Sequence, residues 1–272
     1  MVFSFISDLS LPGLWPAWQT ASASGWANLF WLVIVFLSML LLTRWITNHV
    51  KGVGLLISKS EATATWLYFF LFLPGILIHE LSHYIIAILL GARPTNFSLW
   101  PQSRQGRVIL GSVEVRRIGP IGHSLIGLAP LVFGSLAVWF IARFLQFDLL
   151  VEALTNGELR RFLWAAAESL ATPDFWLWLY LLFAIANVML PSPADRIYWM
   201  PVLVLVGSIA ALLVGFDLLP VVPDLFQDFF FDLTAIMVFA LSTVVVVDVF
   251  FSLFILLLET LLSLTTGRKM QY

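Results

Sequence analysis

Long apolar runs constrain what this chain can fold into. A helix needs about 20 apolar residues to cross the roughly 30 Å hydrocarbon core of a bilayer. The 272-residue sequence is 61% hydrophobic and only 11% charged, and it contains six runs near or above that length. They cover residues 27–43, 65–90, 124–145, 175–190, 199–216 and 233–262. Because an isolated backbone segment in lipid must satisfy its own hydrogen bonds, we expect an all-α polytopic membrane protein with about six transmembrane helices.

The composition excludes several kinds of partner and site. The formal net charge is -2, so no basic surface favours a nucleic acid as partner. Cysteine is absent, which removes disulfides and thiolate-bound zinc. A metal site would therefore have to use histidine and carboxylate ligands. The sequence leaves the oligomeric state open.

The distribution of basic residues predicts which side of the membrane holds the termini. Six spans put both termini on one side, and eight of the 14 Lys and Arg residues fall on that side. Since basic loops tend to stay in the cytoplasm, we expect a prokaryotic cytoplasmic-membrane protein with both termini cytoplasmic. Within residues 1–26, tryptophans at positions 15, 18 and 26 predict an interfacial segment that is retained in the protein.

The second apolar run contains the sequence His79-Glu80-Leu81-Ser82-His83. Histidines four apart project from one face of a helix, where two imidazoles can hold one metal ion. An ionisable side chain at the bilayer centre costs about 2.5 to 3.5 kcal/mol even on lenient scales, so three together indicate a functional site. Zinc in hydrolases usually takes three protein ligands, and Glu80 has the place of the general base.

The fourth apolar run ends in a break, Pro191-Ser192-Pro193, followed by Asp195. Irregular backbone at membrane depth is tolerated only where protein or water satisfies it, so the break itself indicates a site. Trp66 and Trp176 are plausible interface anchors for the second and fourth runs, which go in the same direction.

Counting from these anchors gives the depth of each motif. At 1.5 Å per residue, His79 and Leu190 both lie roughly 20 Å into the membrane. The proline break then keeps Asp195 near that level. We therefore expect its carboxylate within reach of a metal held by His79 and His83.

Between residues 91 and 119 the pattern changes from helical to extended. Residues 96–100 and 108–115 predict two strands joined by the polar turn 101–106, a cytoplasmic or re-entrant β-hairpin after the HExxH helix. Such a hairpin could offer an edge to an extended peptide. Alternatively, it could only anchor the helix ends.

Together these motifs resemble the site-2 protease family of intramembrane zinc metalloproteases. The resemblance lies in the transmembrane HExxH of residues 79–83, the distal segment Asn187 to Asp195, and the strand-forming loop and Gly/Pro-marked helix between them. It covers roughly residues 66–199. It implies that His79, His83 and Asp195 bind Zn²⁺, that Glu80 is the catalytic base, and that Asn187 contacts the substrate or the developing oxyanion.

The function that the resemblance implies is a zinc-dependent intramembrane endopeptidase. It would cleave transmembrane or membrane-adjacent segments of other membrane proteins. Residues 1–64 would form the interfacial segment and first transmembrane helix, residues 65–199 the metalloprotease core, and residues 200–272 two C-terminal transmembrane helices. The alternatives are a catalytically silent zinc-containing scaffold or assembly subunit, and an ion- or proton-coupled transporter using Asp248.

Two further polar residues have more than one interpretation. Asp248 lies in an apolar stretch of the last run, where it could mark a proton or ion path or pair with a polar group on a neighbouring helix. His123 opens the third run. It could support the zinc ligands or lie at the interface without a role.

Overall fold

A computed structural model describes residues 25–104, 107–109, 111–115, 118–216 and 224–268. Most of the interfacial segment predicted at the N-terminus falls within residues 1–24, which lie outside the described residues. The structure is mostly helical, at 82%, and its strands are short. The predicted helical class is therefore confirmed.

The helices follow one another along the chain with a group of strands after the second. In the described residues they are α1 (Gly25–Ser58), α2 (Glu61–Leu89), α3 (Pro120–Phe144), α4 (Phe147–Thr155), α5 (Leu159–Ala171), α6 (Phe175–Ala186), a 3-10 helix (Asp195–Tyr198), α7 (Trp199–Gly215) and α8 (Asp224–Thr266).

Four helices in the described residues are long and apolar enough to cross a membrane: α1, α2, α3 and α8. A fifth span is formed if α5 and α6, which meet at a 94° bend, are counted as one. The prediction of about six spans is not confirmed. The reason is that α6 has 12 residues and α7 has 17, so that they reach only ~18 and ~26 Å of the roughly 30 Å required.

Large apolar side chains point outward from the long helices. Phe140 on α3 is 63% exposed and Leu253 on α8 is 64% exposed. In water such surfaces would favour association or aggregation, whereas lipid solvates them. This arrangement is compatible with an integral membrane protein.

The HExxH helix α2 has defined signals at both ends. At its start, the Ser60 hydroxyl accepts a hydrogen bond from the Thr63 amide. At its end, Gly91 has a φ of 72°, and the amides of Gly91 and Ala92 bond back to Ile88 and Ala87. This is a Schellman ending, which glycine favours because it adopts positive φ without strain. The chain therefore turns away from the helix axis at Gly91 and Ala92 and continues into the strands.

Helices α2 and α6 run parallel, with matched residues at each turn. The Tyr180 hydroxyl donates to the Leu71 carbonyl at 2.8 Å, and the same separation of 109 residues recurs where His79 meets Val188. Between these two contacts, Gly75 lies so close to Ala184 that a methyl group on Gly75 would overlap the Ala184 carbonyl oxygen. The prediction that these two segments run in the same direction is confirmed.

The strands that follow α2 form one interrupted hairpin. In the described residues the antiparallel pairs are β1 (Pro94–Ser98) with β4 (Ser112–Val115), and β2 (Gln102–Arg104) with β3 (Arg107–Ile109). The strand predicted at residues 108–115 is thus divided into β3 and β4, whereas the one predicted at residues 96–100 lies earlier, as β1. The turn predicted at residues 101–106 is wrong in part, because β2 lies within it. Pro101 lies between β1 and β2, where it has no amide hydrogen to donate to a ladder.

The hairpin folds back along the outside of α2. Near the end of that helix, the rings of Tyr84 and Phe97 are 5.8 Å apart. Towards its start, the Trp100 ring lies 5.8 Å from that of Phe69 and 6.2 Å from that of Trp66. The strands therefore return along α2 past the HExxH segment.

The close contact of α2 with α6 gives a stability prediction. Gly75→Ala forces the two backbones apart, because its neighbour is a main-chain carbonyl that cannot turn away. We expect a loss of about 1 to 3 kcal/mol, typical of overpacking, measured as a lower thermal unfolding midpoint in detergent. Gly207→Ala on α7 is the control, since its added methyl group meets no atom within 4 Å. Equal stability of the two variants would contradict the close contact.

Candidate metal centre

The structure brings the side chains of His79, His83 and Asp195 together. The Nε2 atoms of the two histidines are 3.2 Å apart. Asp195 Oδ1 lies 3.3 Å from Nε2 of His83, and its Oδ2 lies 3.6 Å from Nε2 of His79. Both histidines are buried, at 8% and 6% exposure. Residues of two elements, α2 and the 3-10 helix that follows the break after α6, thus meet at a single point.

These separations match the geometry of a shared metal ion. Nitrogen and oxygen ligands lie ~2.0 to 2.2 Å from a tetrahedral metal, which puts neighbouring ligand atoms ~3.3 Å apart. The two imidazole nitrogens, 3.2 Å apart, match that value, and each has a different oxygen of the Asp195 carboxylate beside it, at 3.3 and 3.6 Å. The group could therefore hold a metal ion, since one ligand atom from each of the three residues lies within 4.8 Å of the other two.

Both histidines have their other ring nitrogen occupied by a main-chain carbonyl. His79 Nδ1 lies 2.7 Å from the Val188 oxygen, and His83 Nδ1 lies 2.8 Å from the Ile126 oxygen. A carbonyl oxygen can only accept, so each Nδ1 carries the hydrogen. In the neutral imidazole this leaves the lone pair on Nε2, the atom that faces the shared centre. Outer partners of this kind fix the orientation of metal-ligating histidines.

The carbonyl that holds His79 lies beyond the end of a helix. Helix α6 ends at Ala186, and the last carbonyls of a helix lack partners within it. The amide of Ser192, four residues after Val188, donates instead to Asp195 Oδ2 at 2.7 Å. The helix break therefore frees one carbonyl for His79 and one amide for Asp195.

Ser192 holds Asp195 through two hydrogen bonds, one to its main chain and one to its side chain. Its amide donates to the Ser192 hydroxyl at 3.3 Å, while its carboxylate accepts from the Ser192 amide. Helix α3 approaches the same segment at Gly127, where an added methyl group would come within 2.5 Å of the Asp195 carbonyl oxygen. Only glycine allows this approach, so α3 helps to set the position of the carboxylate.

Glu80 is buried beside the three side chains and under the hairpin. Its exposure is 7%. A methyl group added to Gly111, between β3 and β4, would lie 2.5 Å from Glu80 Oε1. The chain at Gly111 thus packs directly on the carboxylate. A side chain there would have to displace it.

Asn187 forms hydrogen bonds with other groups of the protein. Its amide nitrogen donates to the Phe183 carbonyl at 3.0 Å and to Asp248 Oδ1 on α8 at 2.7 Å, which uses both of its hydrogens. The substrate contact of Asn187 stays a prediction. The pairing of Asp248, which is 0% exposed, with a polar group on a neighbouring helix is confirmed.

His123 lies at the start of α3 and is half-buried. In the part of the chain that the structure describes, the only group of histidine and carboxylate side chains close enough to share a metal ion is His79, His83 and Asp195. The structure therefore does not bring His123 into this group.

Several residues that shape the centre carry no side-chain signal in the sequence. These are main-chain groups: two carbonyls, of Val188 and Ile126, accept from the histidines, and the backbone of Gly111 packs on Glu80. The prolines at 130 and 191 were the available signals, since proline marks where helical hydrogen bonds are missing.

No family model matches the chain, and comparisons with curated proteins and with solved structures gave no match. The resemblance to the site-2 protease family therefore stays a prediction.

We expect the purified full-length protein to bind about one Zn²⁺ per chain. His83→Ala and Asp195→Ala should each lower the stoichiometry after desalting, since each removes one donor of the group. His123→Ala is the matched control and should keep the wild-type content. Metal content can be measured by mass spectrometry of the digested protein. Wild-type content in both ligand variants would contradict the assignment.

Proposed function

We propose that this protein is a zinc-dependent intramembrane endopeptidase. The observation that supports it most is that the carboxylate of Asp195 lies against two imidazole nitrogens 3.2 Å apart, which project, next to Glu80, from a long apolar helix. The donors suit zinc, which accepts histidine and carboxylate ligands and needs a free position for catalysis.

Zinc in such a site activates water and polarises the peptide carbonyl. Glu80 accepts the proton of the attacking water as its oxygen bonds to the carbonyl carbon. The same carboxyl group then gives this proton to the leaving nitrogen as the carbon–nitrogen bond breaks. Burial of Glu80 beside the ligands holds it ready for both transfers.

The burial of Glu80 also favours a protease over a silent scaffold. A structural metal site needs its three ligands but not an adjacent acid. An ionisable side chain in a membrane-embedded position is costly unless it has a function. Glu80 lies on the same helix as two of the proposed ligands and is 7% exposed.

The proposed substrate is a transmembrane or membrane-adjacent segment of another membrane protein. A helical segment resists hydrolysis because its carbonyls are hydrogen-bonded, so it must unwind locally. The hairpin has two-stranded sheets in the described residues and reaches Glu80 through Gly111. A third, added strand from the substrate would bring an extended peptide next to the base.

Glu80→Gln tests the proposal. We expect wild-type protein in liposomes to cleave a model protein with one transmembrane helix, and the variant to lose about 10²- to 10⁴-fold in rate, the usual contribution of a general base. Cleavage products are measured by mass spectrometry, and zinc content should be unchanged. Glu259→Gln on α8 makes the same chemical change away from the centre and should cleave at the wild-type rate.

Two results would contradict the proposal. In one, wild type contains zinc but cleaves a panel of transmembrane substrates no faster than the Gln variant. That result would favour a scaffold. In the other, ion flux depends on Asp248 and not on Glu80, which would favour a transporter.

A further inference from the structure

Helix α3 contains a proline four residues after the carbonyl that holds His83. In an α-helix the amide of residue i donates to the carbonyl of residue i−4. Pro130 lies inside α3 and has no amide hydrogen, so the Ile126 carbonyl lacks its ordinary helical partner. The freed oxygen is the one that accepts from His83 Nδ1 at 2.8 Å.

An amide at position 130 would compete for this oxygen. Both groups would approach the Ile126 carbonyl, and the helical amide would have the geometry of its own helix in its favour. His83 would then share or lose its outer partner. Its ring could turn, and Nε2 would no longer be held towards His79 and Asp195.

The other histidine is held by a similar hydrogen bond. The Val188 carbonyl that holds His79 also lies outside a helical hydrogen-bond ladder, because α6 ends at Ala186 before the prolines at 191 and 193. In both cases the histidine donates to a carbonyl that has no hydrogen-bond partner within the helix or loop to which that carbonyl belongs. Two independent occurrences at one centre argue against coincidence.

We propose that Pro130 is a positioning residue for the metal centre. By withholding an amide hydrogen, it reserves the Ile126 carbonyl for His83 and so directs Nε2 of His83 to the metal. This inference rests on the proposed metal site. It assigns Pro130 no contact with the substrate.

The surroundings of Pro130 keep its effect local. Pro130 itself is buried, and α3 is fixed on either side by close approaches at Gly127 and Gly134, which face the Asp195 carbonyl and the Met189 side chain. Replacing the proline should therefore change the hydrogen bond at Ile126 more than the packing of α3.

A matched proline on α2 serves as the control. Pro74 also lies inside a helix, and its missing amide frees the carbonyl of Phe70. Phe70 is more than half exposed. At about 100° per residue, it lies on the opposite side of α2 from His79. Pro74→Ala and Pro130→Ala thus make the same chemical change. Only Pro130→Ala restores an amide that can bond to the carbonyl that accepts from a histidine.

The experiment compares the zinc affinity of full-length wild type, Pro130→Ala and Pro74→Ala in detergent, by competition with a chelator of known affinity. Loss of an outer partner of a metal-bound histidine typically weakens binding 10- to 100-fold. We expect about a tenfold loss in Pro130→Ala and less than twofold in Pro74→Ala. The visible absorption of the cobalt-loaded protein should shift in Pro130→Ala alone, while the thermal stability of the metal-free protein should not fall.

Unchanged affinity and an unchanged cobalt spectrum in Pro130→Ala would overturn the inference, provided that wild type binds zinc. Absence of zinc from wild type would instead overturn the proposed metal site. A proline with only a structural role would alter the unfolding midpoint without altering the spectrum.

The wild-type protein offers a second test that does not depend on the folding of a variant. Nitrogen-15 spectra of the histidine rings in the zinc-loaded protein should show the hydrogen of His83 on Nδ1 and the metal on Nε2. Metal bound through Nδ1 of His83 would overturn the inference.

Discussion

The candidate metal centre depends on hydrogen bonds from two histidine rings to main-chain carbonyls. Without them, each imidazole could rotate or carry its hydrogen on either nitrogen, and the Nε2 atoms of His79 and His83 would not be held 3.2 Å apart. The acceptors come from different parts of the chain, Val188 after α6 and Ile126 in α3. The HExxH helix is therefore positioned by both of its neighbours.

Helix breaks make these contacts possible in an apolar environment. A carbonyl within a regular helix is already paired, and in lipid an unpaired carbonyl is costly. Here the unpaired carbonyls are satisfied by the histidines themselves. In the chain after α6, the Ser192 amide lies outside the helix and in the same way donates to the Asp195 carboxylate. Irregular backbone and ionisable side chains thus satisfy each other.

Much of the site follows from the sequence because helices convert spacing into geometry. The interval of four between His79 and His83 put both rings on one face, and the order of the apolar runs gave the parallel direction of α2 and α6. Counting residues from two tryptophans placed Asp195 level with the histidines. These predictions needed only the rise per residue and a common starting plane.

Other features could not be predicted because they depend on packing between distant segments. The six predicted spans are not confirmed, in part because α6 ends at Ala186 and the proline-marked segment after it is not helical. The bond of Asn187 to Asp248 links residues 61 apart in the sequence, and neither shows its partner in the local pattern. The approach of Gly111 to Glu80 arises from the path of the hairpin along α2.

X-ray absorption at the zinc edge of the purified, zinc-loaded protein tests the metal centre most directly. The structure predicts a nitrogen and oxygen shell at ~2.0 to 2.2 Å with the outer scattering of two imidazole rings. Replacement of Asp195 by Ala should change the oxygen content of that shell and leave both imidazoles in place. A zinc environment without imidazole scattering, or with a single ring, would contradict a centre formed by His79, His83 and Asp195.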